Sequence, residues 1–350
     1  MGLEAVELRR LTLPMAAPFR TTQLDLTERD VLLVRVVVDG SDGWAECAAL
    51  PDAAYDGIDV DAATVALLAD LDHAPPVAAA AVATATLDAK LRSEGRSRAD
   101  WLGAERPSVP AGVAVGFMPS IDELLDEVAR HVEAGYRRVK LKIGPGRDIE
   151  LVRAVRTHFG ESLALQVDAN GAYRLDDAPA LAALDDFDLL LIEQPLPRDD
   201  LLGHAELVDL ISTPVCLDES IRSVADVERA IEVGACSVVC VKPGPLGGLA
   251  VARAVHDRCV AAGIDAWCGG MLETGIGRAA LLALAALPGF TLAGDLSATG
   301  RWYVDDLTPP VELVDGELSV PTGPGIGVEP DPAALRRYTT WTETVALDHP

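Results

Sequence analysis

Five short apolar segments end in charged residues at a regular spacing: RRVKLKIG (137–144), ALQVDAN (164–170), LLLIEQP (189–195), PVCLDES (214–220) and SVVCVKPG (237–244). The charged residues are Lys142, Asp168, Glu193, Asp218 and Lys242, which recur every 24 to 26 residues. One strand, one helix and two loops take about that many residues, so the spacing predicts a repeated β/α unit. In a parallel barrel the carboxyl ends of the strands converge on the face that holds the active site. The five charged residues therefore predict a site at that face.

The alternation continues on both sides of this stretch. VPAGVAVG (109–116) is typical of a buried strand, and SIDELLDEVARHVEAGY (120–136) of a capped amphipathic helix that ends at glycine. DAWCGG (265–270) and TLAG (291–294) predict a seventh and an eighth strand. Continuous apolar strands between helices indicate a parallel sheet covered by helices. The predicted fold class is α/β, a modified (β/α) barrel.

The two ends of the chain do not show this alternation of strands and helices. Strands at 3–15 and 31–38, a polar loop at 18–30, a DG turn at 39–40 and a helical section at 77–96 predict a separate α+β domain over residues 1–107. The barrel is predicted over 108–307. Residues 308–350, with a DG hairpin at 311–321, are predicted to return to the N-terminal domain.

Composition limits the function further. The 350 residues have a net charge of −26 and 49% hydrophobic content, which argues against nucleic acid or an anionic membrane as a partner. No apolar run is long enough to cross a bilayer, and the acidic start MGLEAVELRR leads us to expect no signal peptide. The six cysteines lie in apolar runs and indicate buried thiols in a reducing compartment. We expect a cytoplasmic protein, and no histidine pair has the spacing of metal ligands.

Asp168, Glu193 and Asp218 follow three consecutive predicted strands. Converging carboxylates repel one another unless a cation lies among them. Three carboxylates completed by water and substrate suit Mg²⁺, with Mn²⁺ as a possible substitute. The alternative is that each acid caps the next helix or pairs with a basic residue. Asn170 and Glu219, just beyond two of these acids, are predicted to support the ligands.

Lys142 and Lys242 are predicted on opposite sides of the three acids. A lysine has an ordinary pKa of about 10.4, which is too high for a base at neutral pH. A nearby Mg²⁺ and a second ammonium would favour the neutral amine. The alternative is a salt bridge to the acids. Lys140 points to the same side as Lys142 and either positions that ammonium or forms an ion pair inside the barrel.

The segment CGGMLETG (268–275) ends the seventh predicted strand. Gly269 and Gly270 could present backbone N–H groups to a carboxylate, and Met271 follows them. The alternative is a turn that only changes the chain direction. Mg²⁺ with two lysines suits removal of a proton next to a substrate carboxylate, because a cation can stabilise the resulting enediolate. Lys or His bases that act together with Mg²⁺ are a known solution for this kind of proton removal.

Seven motifs stand out together: KLK (140–142), DAN (168–170), IEQP (192–195), LDES (217–220), VKPGPLGG (241–248), CGGMLETGIGRA (268–279) and GDLSATGRWYVDDLTPP (294–310). In combination they resemble the enolase superfamily. They are most similar to its muconate-lactonizing-like group, which contains o-succinylbenzoate synthase and N-succinylamino acid racemase. The resemblance covers about residues 5–330. It implies an N-terminal capping domain over a modified barrel, to which the C-terminal segment returns.

The resemblance implies a role for each site residue. Asp168, Glu193 and Asp218 match the Mg²⁺ ligands. Lys142 matches the base of the KxK pair, and Lys242 the opposing lysine, which is a cation over the substrate in the synthase and the second base in the racemase. A loop of the cap that closes over the substrate would include Phe19 and Arg20, with Tyr55 in the neighbouring loop.

The resemblance also implies an activity. We expect Mg²⁺-dependent syn-elimination of water from 2-succinyl-6-hydroxy-2,4-cyclohexadiene-1-carboxylate, a step toward menaquinone, by a homo-oligomer. Racemisation of N-succinylamino acids is the first alternative, alone or as a second activity. A cycloisomerase or dipeptide epimerase ranks below both, since GDLSATG lacks the aspartate-rich motif expected of the epimerase. A non-catalytic barrel with a structural ion network is the rival from another class. The loops TTQLDLTERD (21–30) and PDAAYDGI (51–58) differ from the sequences that are usual in this family. Because these loops select the substrate, the exact substrate stays open.

Overall fold

The computed structural model describes residues 2–21, 24–53, 57–345 and 347. Its strands are β1 Leu3–Arg20, β2 Asp25–Val38, β3 Ser41–Cys47, β4 Ser108–Pro110, β5 Gly112–Val115, β6 Arg138–Lys142, β7 Ala164–Asp168, β8 Ile192–Glu193, β9 Val215–Leu217, β10 Val238–Val241, β11 Asp265–Cys268, β12 Leu313–Val314, β13 Glu317–Ser319 and β14 Thr339–Val345.

The α-helices are α1 Val60–Ala69, α2 Pro76–Ser93, α3 Arg98–Leu102, α4 Ile121–Ala134, α5 Ile149–Phe159, α6 Ala178–Ala182, α7 Leu201–Val208, α8 Val224–Val233, α9 Pro243–Leu246, α10 Leu249–Ala262, α11 Gly275–Ala285, α12 Thr299–Trp302 and α13 Pro332–Tyr338. Short 3₁₀ segments, Leu175–Asp177 and Ala183–Phe187, flank α6.

The N-terminal part is an antiparallel sheet in the order β14-β1-β2-β3, with α2 packed against it. Asp39 and Gly40 both have positive φ and form the predicted turn between β2 and β3. The polar loop predicted over 18–30 is wrong in extent. Strand β1 reaches Arg20 and β2 begins at Asp25, because a register shift between Pro14 and Phe19 lets pairing resume beyond the irregularity.

Gly43 lies where β3 approaches α2 most closely. A Cβ on Gly43 would stand 2.1 Å from the carbonyl oxygen of Ala85 and 2.4 Å from the amide nitrogen of Ala89. We expect Gly43→Ala to lower the free energy of unfolding by about 1–3 kcal/mol, since backbone atoms cannot yield as a side chain can. Thermal unfolding would measure this. Gly300→Ala is the matched control, because no described heavy atom lies within 4 Å of its added Cβ; equal melting temperatures of the two variants would contradict the prediction.

The second part is a parallel sheet of seven strands in the order β11-β10-β9-β8-β7-β6-β5, with helices on its outer side. Strands β5, β9 and β10 are buried along their whole length, as their apolar runs predicted. Ser120 caps α4 by accepting a hydrogen bond from the amide of Glu123, and Gly135 ends the helix in the left-handed region. The observed sheets match the predicted α/β barrel with an α+β cap.

Two strand predictions need correction. The segment 109–116 is broken at Ala111 into β4, which pairs antiparallel with β13, and β5, which joins the barrel. The eighth strand predicted at 291–294 is reduced to one parallel bridge between Ala111 and Gly294, where the Gly112 amide donates to the Gly294 carbonyl at 2.9 Å. A Cβ on Gly294 would meet the Cys268 carbonyl oxygen at 2.3 Å, so close approach of backbones replaces a regular strand there.

The C-terminal residues divide between the two parts of the fold. The hairpin of β12 and β13 turns at Asp315 and Gly316, both with positive φ, and pairs with β4. Helix α13 and strand β14 then contact β1, so the chain returns to the capping sheet as expected. In the described part of the chain, no helix is long and apolar enough to span a membrane. All six cysteines are buried and unbridged.

Candidate active site

The sheet order places the five strand-end residues on neighbouring strands. Lys142 pairs in register with Asp168, and Asp168 with Glu193. Asp218 and Lys242 directly follow β9 and β10. Strands β6 and β10 therefore flank the three strands that carry the acids. The side chain of Lys142 is 10% exposed and those of the other four are buried more deeply.

Each lysine of this group contacts a carboxylate. Lys142 Nζ lies 2.6 Å from Asp168 Oδ2, and Lys242 Nζ lies 2.6 Å from Asp218 Oδ2. Lys140, which is 3% exposed, donates to both oxygens of Glu193 at 2.8 and 3.1 Å. The ammonium groups thus neutralise the acids. The salt bridges that were the alternative interpretation of the lysines are present, and they are compatible with a site that also binds a cation.

Burial and charge act in opposite directions on the pKa values here. Burial, and then the charge of Asp168, raise the pKa of Glu193 well above its ordinary range. For Asp168, burial opposes ionisation, but the charges of Lys142 and Lys140 lower its pKa below the ordinary value. Burial would lower the pKa of Lys242, but Asp218 outweighs it and the pKa is raised. The protein alone therefore keeps Lys242 protonated, and burial together with the charge of Asp168 raises the pKa of Glu193 in spite of its contact with Lys140.

The donor set fits a hard divalent cation. Asp168 and Glu193 share one ammonium, since Lys140 Nζ lies 3.2 Å from Asp168 Oδ2 and 2.8 Å from Glu193 Oε2. Donor atoms of Glu193, Asp218 and Cys240 all lie within 4.8 Å of one another. Buried carboxylates at this separation suit Mg²⁺ or a similar ion. The Cys240 thiol was not predicted to lie here; its place two residues before Lys242 on β10 explains the shared side.

Asn170 and Glu219 form a chain of hydrogen bonds with the base candidate. Lys142 Nζ donates to Asn170 Oδ1 at 2.7 Å, and Asn170 Nδ2 donates to Glu219 Oε1 at 2.9 Å. The Asn170 amide also donates to Asp168 Oδ1 at 3.0 Å, which positive φ at Asn170 permits. Burial and the charge of Asp218 raise the pKa of Glu219. Asn170 therefore contacts a predicted ligand and the base candidate, and Glu219 contacts Asn170.

Gln194, which the sequence reasoning missed, joins two of the loops. Its side-chain oxygen accepts from the amides of Asp218 and Ser220 at 2.9 and 3.2 Å, and its amide nitrogen donates to the Leu196 carbonyl. Gln194 has positive φ and is fully buried. It fixes the backbone from which the Asp218 carboxylate projects. A polar residue directly after a strand-end acid was the available signal.

A cavity between the cap and the barrel opens onto these residues. Its lining includes Lys140, Lys142, Asp168, Asn170 and Lys242 from the barrel and Phe19, Thr21, Leu24 and Leu50 from the cap. Phe19 is 5% exposed and packs edge-on against Trp302, with ring centroids 5.0 Å apart. Arg20 does not line this cavity in the described structure; its side chain is half exposed and pairs with Asp25. Tyr55 lies outside the described residues.

Only part of the glycine segment after β11 lines the cavity. Gly270 and Met271 line the cavity. Gly269 instead packs against Cys240 and Lys242, and its amide donates to the Val241 carbonyl at 3.0 Å. The expectation that the Gly269 amide faces a carboxylate is wrong, because the sheet uses it. The Met271 amide likewise donates to Glu273 Oε2 at 2.7 Å.

Two further signals in the sequence point to the site. Only four of the 29 basic residues are lysines, and three of those four are Lys140, Lys142 and Lys242. Asp295 directly follows TLAG, so the rule that found the other acids applies to it too, and it lines the cavity. The site thus contains three lysines in a chain whose other basic residues are almost all arginines. An ammonium group can lose its proton, whereas a guanidinium group stays charged.

Comparison with known proteins agrees with this geometry. A family described as Enolase C-terminal domain-like matches residues 123–334. An N-succinylamino acid racemase of Amycolatopsis sp is 50% identical, with 97% of this chain and 98% of that protein covered. An o-succinylbenzoate synthase of Geobacillus stearothermophilus is 39% identical, with coverages of 98% and 97%.

A solved structure of an enolase superfamily member from Listeria innocua superposes with a TM-score of 0.93. It is 37% identical, and 99% of each chain is covered. The chain therefore belongs to the enolase superfamily, within the family of o-succinylbenzoate synthases and N-succinylamino acid racemases.

Proposed function

We propose that this chain is an o-succinylbenzoate synthase that eliminates water from 2-succinyl-6-hydroxy-2,4-cyclohexadiene-1-carboxylate, a step toward menaquinone. The observation that carries the proposal is the lining of one cavity by Lys142 and Lys242 on strands that flank three carboxylates. Relatives of 38–39% identity over nearly the whole chain are named as this synthase. The substrate is a dicarboxylate, and the lysines supply the local positive charge that a chain of net charge −26 otherwise lacks.

Lys142 is proposed as the base. Its Nζ, in the neutral form, removes the proton from the carbon next to the ring carboxylate, which leaves an enediolate. The electron pair then expels hydroxide from the adjacent carbon, and the hydroxide takes the same proton from Lys142 and leaves as water. One lysine can serve both steps because the departing groups lie on the same face. Asn170 holds the Lys142 Nζ within 2.7 Å of its amide oxygen and so orients it.

Enolase superfamily enzymes use a divalent metal ion, generally Mg²⁺. We propose Mg²⁺, with Mn²⁺ as a substitute, held by Asp168, Glu193 and Asp218, and supported by Asn170 and Glu219. The bound cation would offset the negative charge that develops on the substrate carboxylate. Lys242 is proposed as a cation that faces the substrate from the opposite strand. Phe19 and Met271 would contact the substrate where cap and barrel meet, because both line the cavity.

Racemisation of N-succinylamino acids is the second candidate function. The specific observation in its favour is the 50% identity to a protein named as that racemase. The same geometry would serve it, since Lys142 and Lys242 could remove and return a proton on opposite faces of one carbon. A cycloisomerase, an epimerase or a non-catalytic ion network remains as an outcome of the test below.

Turnover of the cyclohexadiene substrate tests the proposal directly. We expect a rapid Mg²⁺-dependent loss of its ultraviolet absorbance with purified protein, and none after chelation of the metal. Optical rotation of N-succinylamino acids, measured on the same preparation, reports racemisation. Racemisation without dehydration would assign the second function. Absence of both, with Mg²⁺ still bound, would favour another superfamily reaction. Absence of Mg²⁺ binding would favour the structural network.

We also propose a homo-oligomer in the cytoplasm. The six buried, unbridged thiols support a reducing compartment. Light scattering of the purified chain would give the oligomeric state, and a monomer at micromolar concentration would contradict it.

A further inference from the structure

A row of three cations lies on one face of β6. Arg138, Lys140 and Lys142 alternate along the strand, so their side chains point to the same side, into the barrel. Arg138 and Lys140 are 2% and 3% exposed and both lie over the ring of Trp267, each 5.0 Å from its centroid. Two buried positive groups this close to each other require a shared negative partner.

Asp295 is that partner. Its Oδ1 lies 2.8 Å from Arg138 Nη2, and its Oδ2 contacts Lys140 Nζ. Its side chain is 11% exposed and lines the same cavity as Lys142. Asp295 follows Gly294, whose carbonyl binds the amide of Gly112 and closes the barrel. The closure therefore fixes the backbone from which this carboxylate projects.

Lys140 has two other carboxylate partners, Glu193 and Asp168, and both are proposed metal ligands. A cation bound by those two carboxylates would share their negative charge. Asp295 is the Lys140 partner outside that set, so it retains its full charge for the ammonium. Asp168 Oδ2 also contacts Lys142 at 2.6 Å, which links the position of Lys140 to that of the base.

We propose that Asp295 is a positioning residue for the reaction. It anchors the Lys140 ammonium, is itself held by Arg138, and thereby sets the positions of Asp168 and Lys142. Without Asp295, the Lys140 ammonium would pair more closely with Asp168 and Glu193 and would compete with the metal ion for these two carboxylates. The inference rests on the proposed function for its effect on turnover. Its effect on metal binding depends on the ligand geometry alone.

The test is a double-mutant cycle between Asp295 and Lys140. We expect Asp295→Asn to lower kcat about tenfold or more, to change KM less than about threefold and to weaken Mg²⁺ binding about tenfold by calorimetry. In the Lys140→Met background, Asp295→Asn should change neither kcat nor Mg²⁺ affinity by more than about twofold. Independent, additive losses would overturn the proposal, because Asp295 would then act directly on substrate or through general stability. Unchanged values in the single variant would also overturn it.

Two further variants keep the test decisive. Asp295→Glu retains the charge but displaces it, so it should fold and show a partial loss of kcat with the same dependence on Lys140. Asp88→Asn removes a fully buried carboxylate that pairs with Arg92 and Arg98 in the cap, and should lower the melting temperature while leaving kcat near wild type. If the wild type turns over neither proposed substrate, the proposed function fails while the Mg²⁺ titrations still decide the role of Asp295.

Discussion

Lys142→Met is expected to lower kcat for dehydration about 10³-fold, within the 10²–10⁴ range that a general acid–base residue contributes. The proposed mechanism uses this one nitrogen twice, to remove the proton and to return it to the leaving hydroxide. Methionine has a similar length and no proton to exchange, so the cavity stays filled while the chemistry stops. The measurement is the rate of absorbance loss at saturating substrate and Mg²⁺.

Lys90→Met is the matched control, because Lys90 is exposed and pairs only with Glu94 among the contacts of the described chain. It should leave kcat unchanged. Mg²⁺ affinity of Lys142→Met should persist, which separates loss of the base from loss of the metal. Lys242→Met should abolish racemisation, whereas dehydration should retain part of its rate, since Lys242 is only a cation in that reaction. A wild-type rate for Lys142→Met would remove it from the mechanism.

Glu193→Gln is expected to abolish Mg²⁺ binding at millimolar concentration and to lower kcat by about 10³-fold or more. Glu193 is fully buried on the central one of the three acid-bearing strands, and burial together with Asp168 raises its pKa. A cation that binds only the folded wild type stabilises it by about 2.7 kcal/mol at a hundred times its Kd. Mg²⁺ should therefore raise the melting temperature of the wild type by a few degrees and leave that of the variant unchanged.

The metal-free proteins provide a second contrast. In Glu193→Gln the Lys140 ammonium keeps Asp168 and Asp295 as charged partners, and the variant removes an acid whose ionisation burial opposes, so it should melt close to the metal-free wild type. Glu127→Gln is the control: Glu127 is a buried carboxylate outside the cavity that pairs with His131, and Mg²⁺ should still stabilise it. Mg²⁺ stabilisation of Glu193→Gln equal to that of the wild type would exclude Glu193 as a ligand.

Much of the site could be predicted because its residues obey a local rule. A charged residue at the end of each apolar strand is visible in the sequence, and parallel strands bring those ends to one edge. Lys142, Asp168 and Glu193 are in register for that reason alone. The same rule applied to TLAG would have found Asp295. The scarcity of lysine singles out four positions without any knowledge of the fold, and three of them, Lys140, Lys142 and Lys242, belong to the site.

The missed features depend on contacts between distant parts of the chain. Gly269 was expected to offer its amide to a ligand, but the neighbouring strand uses that amide. The cap strands extend to Arg20 and from Asp25 because they pair with each other, which a polar composition does not reveal. The predicted eighth strand is a single bridge because Gly294 packs against the backbone of Cys268.

The sequence by itself thus determined the β/α repeat, the cap, and which carboxylates and lysines face the barrel mouth. These follow from the two-residue period of strands and from the length of one repeat, which are properties of short segments. Only the tertiary structure decided which carboxylate each lysine contacts, that Asp295 joins Arg138 to Lys140, and that Arg20 pairs with Asp25 and does not line the cavity. Partner choice among buried charges depends on ångström-scale distances between separate segments, which lie from 24 residues apart for Lys242 and Asp218 to 157 for Arg138 and Asp295. Local pattern carries no information about those distances.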